Sequence, residues 1–133
     1  MEPSTSTVST PRPRGISWAS ALCWIWGALI AVFYLPTYAE AINAGRPRSY
    51  LLSHAVAAIG IIAIYWFAAY ALRRRRRAGG VLAIGISGLF TILVLTPPDL
   101  GGLMVAAINV PIIVLVLFNW RHLGKPADDG VGA

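Results

Sequence analysis

The chain has 133 residues, of which 57% are apolar and 12% charged. Soluble domains run to about 45–50% apolar and about 25% charged, so the polar surface needed to cover a water-facing globule is missing. The net charge of +6 sits between apolar runs and on no segment long enough for a nucleic-acid-binding domain. Cys23, the only cysteine, excludes an intramolecular disulfide or thiol pair.

Residues 1–15 are rich in Ser, Thr and Pro and lack an apolar period, which reads as a disordered tail. A charge-free apolar run follows at 16–38. About 20 helical residues cover the roughly 30 Å hydrocarbon core of a bilayer, so this is a first spanning helix. Trp18 marks one interface and Tyr34 and Tyr38 the other. Arg12, Arg14 and Ala39-Glu40-Ala41 also outline a signal peptide. The run, however, exceeds the about 7–15 residues of a signal core, and its tryptophans and Pro36 suit a retained helix.

Residues 39–49 read as a polar link with Gly45 and Pro47 as turn formers. A second span is expected at 50–72, bracketed by Tyr50 and Tyr70. The unbroken run Arg73, Arg74, Arg75, Arg76 and Arg77 then forms a loop. A third span at 80–96 is stopped by Pro97-Pro98, and a fourth at 100–120 ends in Trp120-Arg121. The tail 122–133 is polar, Gly-rich and expected to be disordered. Barrel strands would alternate over about 10 residues; these runs are long and apolar throughout. The fold expected is an all-α, integral membrane four-helix bundle over 16–121.

Basic residues set the orientation. Arg12, Arg14, Arg73–Arg77, Arg121 and Lys125 fall on one side, Arg46 and Arg48 on the other. Lys and Arg accumulate in cytoplasmic loops, which predicts both termini inside a multi-pass protein of the cell membrane. The arginine run also offers about 1 kcal/mol of attraction per residue to anionic lipid head groups.

Small residues recur at helical spacing: Gly27 and Ala31; Gly80, Ala83, Ser87 and Thr91; Gly102, Ala106 and Asn109. Membrane helices associate through such stripes, either within one bundle or in a homo-oligomer. Asn109 and Pro111 stand near the middle of span four. They suggest an interhelical hydrogen bond beside a proline kink, or a polar position on a conduction path. Glu40, Arg46, Arg48, His54 and Asp99 are expected at an outer polar rim, with Glu40 able to pair with either arginine. A lipid-directed enzyme would need Glu40, His54 and Asp99 to converge.

No Asp, Glu, Lys or Arg lies within any span, which argues against proton-coupled transport. A Gly-rich phosphate loop, a serine–histidine–acid set and a paired zinc motif are all missing. Neither enzymatic activity nor a cofactor or metal is expected. The first functional expectation is an accessory or interaction subunit, partnered by lipid and by a membrane protein or its own copies. The alternative is a small channel, transporter or pore-forming oligomer.

Overall fold

A computed structural model describes residues 13–94 and 100–124. They form four α-helices, α1 (Arg14–Asn43), α2 (Arg48–Arg73), α3 (Arg77–Val94) and α4 (Leu100–Phe118), and a closing 3-10 turn at Trp120–His122. All four are long and apolar enough to cross a membrane. Each packs on its neighbours in a ring, α1 on α2 and α4, and α3 on α2 and α4.

Two of the connections are short because the sequence supplies the same turn twice. At the end of α1 the Gly45 N–H donates to Ile42 O and the Arg46 N–H to Ala41 O, at 3.0 and 3.1 Å. Gly45 holds the left-handed conformation this requires, φ +66°, which glycine adopts without steric cost. At the end of α2, Arg75 and Arg76 donate to Leu72 O and Ala71 O in the same way, with Arg75 at φ +53°.

Several boundaries differ from the sequence expectation. α1 continues past Tyr38 to Asn43, so Glu40 lies on a helix rather than in a link. Ala39, Glu40 and Ala41 are good helix formers, and the turn waits for Gly45. α1, α2 and α3 start at arginines 14, 48 and 77 rather than at residues 16, 50 and 80. Arg73 and Arg77 are helical, and only Arg74–Arg76 connect α2 to α3. The polar tail expected from residue 122 does not begin there, because Leu123 is buried. The expectations on residues 1–12, 95–99 and 125–133, including Arg12, Pro97, Pro98, Asp99 and Lys125, lie outside the described residues.

The core is concentrated at one end. It gathers Ile16, Ala19 and Cys23 of α1, Tyr65, Ala68 and Leu72 of α2, Ala83 of α3, Ile112 and Val116 of α4, and Leu123. Arg14, Arg73–Arg77 and Arg121 lie at this same end. Small residues make the close packing possible. A Cβ on Gly79 would stand 2.6 Å from the Leu72 nitrogen, and one on Gly80 would stand 2.7 Å from the Leu123 side chain. A Cβ on Gly27 would strike the Trp66 ring, which is itself stacked on Trp24 at 5.3 Å. Toward the other end, large residues such as Phe33, Leu35, Val56, Ile59 and Met104 face outward. The small-residue stripes seen in the sequence therefore serve the interior of this bundle: Gly27, Gly80, Ala83, Ser87, Gly102 and Asn109 are all buried.

Candidate functional site

The most polar point of the interior lies near mid-length of the bundle. Tyr65 projects from α2 across the ring, and its hydroxyl donates to Asn109 Oδ1 of α4 at 2.7 Å. Both residues are fully buried. Asn109 Nδ2 donates in turn to Val105 O, one turn back, at 2.9 Å, which fixes the amide with its oxygen toward the tyrosine. Ser87 of α3 and Trp26 of α1 also face the Tyr65 hydroxyl. Neither the Ser87 hydroxyl nor the Trp26 indole N–H makes a well-formed hydrogen bond.

The register explains why these four meet. At 1.5 Å per residue, Tyr65, Ser87 and Trp26 stand about 12, 15 and 18 Å along their helices from the arginine-rich end. Each helix thus contributes one polar side chain at a similar level. Phe90 closes one flank, its ring 6.2 Å from that of Tyr65. Nearer the arginines, Ser20 Oγ of α1 donates to Ala69 O of α2 at 3.0 Å.

Asn109 was legible in the sequence; its partner was not singled out. The available signal was a tyrosine deep within an apolar run, where its hydroxyl must find an acceptor. Pro111 is placed differently from Asn109. It stands exposed on α4, inside a helix that continues to Phe118, whereas Asn109 is buried.

At the arginine-rich end the chain folds back on the α2–α3 turn. The Gly124 N–H donates to Arg75 O at 2.6 Å, and Arg77 Nε donates to Leu123 O at 3.3 Å. Arg73, Arg74, Arg76 and Arg77 are exposed, and the Arg74 guanidinium lies 5.1 Å from the centre of the Tyr70 ring.

At the opposite end Glu40, Arg46, Arg48 and His54 are all exposed. Arg46 lies over the Tyr50 ring at 5.5 Å, and the His54 ring lies 4.1 Å from that of Tyr50. Among the described residues no three His, Cys, Asp or Glu side chains gather as metal ligands.

The class defined by these features is an all-α four-helix bundle with four potential membrane-crossing helices and a buried polar hub. Comparison of the chain with protein-family models, with curated proteins and with solved structures found no match to any of them.

Proposed function

We propose that this chain is a multi-pass protein of the cell membrane, both termini cytoplasmic, that works without catalysis as an accessory or interaction subunit. The observation that carries this reading is the outward face of α3. Gly85 and Gly88 stand where an added Cβ would meet nothing within 4 Å. Inside the bundle, glycines are used for close approach; at Gly85, which is exposed, and Gly88, which is half-buried, as at Gly60 of α2, a side chain would have open space. A lipid-facing helix gains nothing from bare backbone, whereas a second helix can pack closely against it. The filled interior agrees with this reading, since the Tyr65–Asn109 pair occupies the space between the helices where a path would run.

Orientation is supported by the charge distribution. Seven arginines (14, 73–77 and 121) share one end, against Arg46 and Arg48 at the other, as expected when the richer end faces the cytoplasm.

The test compares Gly85→Leu and Gly88→Leu with the wild-type chain. Both should leave thermal unfolding of the purified protein nearly unchanged, because the space beside them is open. Both should lose the species cross-linked to residue 85 or 88 in native membranes. If photo-cross-linking from those positions gives only the monomer, the interaction reading fails. Ion or solute flux from liposomes holding the wild type, abolished by Asn109→Leu, would favour a channel instead.

A further inference from the structure

Two like pairs bracket α2. Arg46 lies over the Tyr50 ring at 5.5 Å, and Arg74 lies over the Tyr70 ring at 5.1 Å. The rise from Tyr50 to Tyr70 is about 30 Å at 1.5 Å per residue, the thickness of a bilayer's hydrocarbon core. Trp18 and Tyr38 of α1 are separated by the same rise. Both helices therefore set a ring at each hydrocarbon boundary. The two guanidiniums stand just beyond, at the depth of the lipid phosphates.

The surroundings of the two pairs differ. Arg74 stands among Arg73, Arg76 and Arg77, all exposed, with Arg14 and Arg121 at the same end. Among the described residues the only carboxylate side chain is that of Glu40, at the opposite end. No carboxylate of the described chain thus competes for these guanidiniums. Arg77 is engaged through its Nε with Leu123 O; Arg74 is held by a ring, which leaves its N–H donors to a ligand.

A guanidinium presents a planar fork of donors that matches a phosphate bidentately. Stacking on Tyr70 restrains that plane in advance, so less freedom is lost when the phosphate arrives. Toward the bilayer interior, Tyr70, Phe67 and Trp66 expose ring surface on one side of α2, which acyl chains can cover. The neighbouring arginines repel a head group that ends in an ammonium and favour one of net negative charge. A soluble phosphate would meet the arginines but gain nothing from the rings.

We propose that the C-terminal end of α2 holds one anionic phospholipid at a defined site, its phosphate on the Arg74 guanidinium set by Tyr70, with Arg73 and Arg76 excluding zwitterionic head groups. Diffuse attraction to the arginine run needs only charge; this site needs a guanidinium and a ring. The inference rests on the membrane reading above, and not on the orientation or the accessory role.

The full-length protein is placed in nanodiscs of phosphatidylglycerol and phosphatidylcholine in equal parts, and the lipids retained on release are counted by native mass spectrometry. The wild type should retain one phosphatidylglycerol in preference to phosphatidylcholine. Arg74→Lys keeps the charge, loses the fork and should cut that retention severalfold. Tyr70→Leu keeps every charge, loses the ring and should do the same, whereas Tyr70→Phe should retain the lipid. Arg46→Lys, the matching change at the other end of α2, should leave retention unchanged. If Tyr70→Leu fails to fold, Arg74→Lys decides alone, since Arg74 is exposed. Retention indifferent to Arg74→Lys, or to a folded Tyr70→Leu, reduces the site to diffuse charge and overturns the proposal. Displacement of the lipid by excess inorganic phosphate assigns the arginines to a soluble anion and overturns it too. A protein that enters nanodiscs stably and retains both lipids alike sinks the site and spares the membrane reading. A protein that does not enter them sinks the membrane reading itself.

Discussion

The Tyr65 hydroxyl and the Asn109 side-chain oxygen meet at 2.7 Å in the bundle interior, joining α2 to α4, two helices that face each other across the ring rather than side by side. Removing either partner should therefore loosen the bundle as a whole. Interhelical hydrogen bonds in membrane bundles are worth about 0.6–2 kcal/mol. Tyr65→Phe is expected to cost about 1 kcal/mol in reversible unfolding from mixed micelles. Asn109→Leu should cost more, because it leaves the tyrosine hydroxyl buried without its acceptor. The double variant should fall short of the sum of the two; full additivity would mean that the pair does not act as a bond.

Gly79 is the tightest point between α2 and α3. Its missing Cβ would sit 2.6 Å from the Leu72 nitrogen and 2.8 Å from the Ala71 carbonyl carbon, and backbone cannot rotate aside. Gly79→Ala should destabilise the protein by about 1–3 kcal/mol, the usual range for overpacking. Gly85→Ala, in open space on the same helix, should be neutral or slightly stabilising, since alanine is the better helix former. Equal effects at the two positions would contradict the packing described.

Leu123 lies beyond the last long helix and is nevertheless only 1% exposed. It covers Gly80, while Gly124 bonds to the α2–α3 turn. Leu123→Ala is expected to cost about 2–3 kcal/mol, at the low end for a buried leucine. A chain ending at His122 should lose at least as much, seen as a lower melting temperature and faster proteolysis at the arginine turn. An unchanged melting temperature would show that the closing segment does not dock.

Topology should respond to charge. Replacing Arg73, Arg74 and Arg76 by Gln, and adding lysines next to Arg46 and Arg48, removes most of the difference between the two ends. Reporter fusions at the C-terminus should then change from a wholly cytoplasmic signal to a mixed one. A wild-type C-terminal reporter active outside the cytoplasm would reverse the proposed orientation outright.

Gly45→Ala tests the turn between α1 and α2. The left-handed φ of +66° disfavours any side chain, so a loss of about 1 kcal/mol is expected in the same unfolding assay. In the α2–α3 turn Arg75 holds the same left-handed conformation, φ +53°, and its carbonyl accepts from the Gly124 N–H.

How much of this was legible in the sequence follows from the range of the forces involved. Four helices of membrane-crossing length were written in apolar runs punctuated by Gly45, Arg73–Arg77 and the aromatic–arginine ends, because hydropathy and chain length are local properties. The small-residue stripes foretold which faces turn inward, since a helix shows its period to its own neighbours. Asn109 stood out as a polar residue in an apolar run. What Asn109 bonds to, and that Trp26, Tyr65 and Ser87 lie near its level, depended on how the four helices are set along one another. Sliding one helix by two residues, at 1.5 Å each, is enough to break or make such a contact. The core's position at the arginine-rich end and the docking of Leu123 likewise arise only between segments distant in the chain. The sequence by itself determined the elements and their apolar character; the tertiary structure decided the partners, because a hydrogen bond or a close glycine contact reaches only about 3 Å and must be placed by the packing of all four helices together.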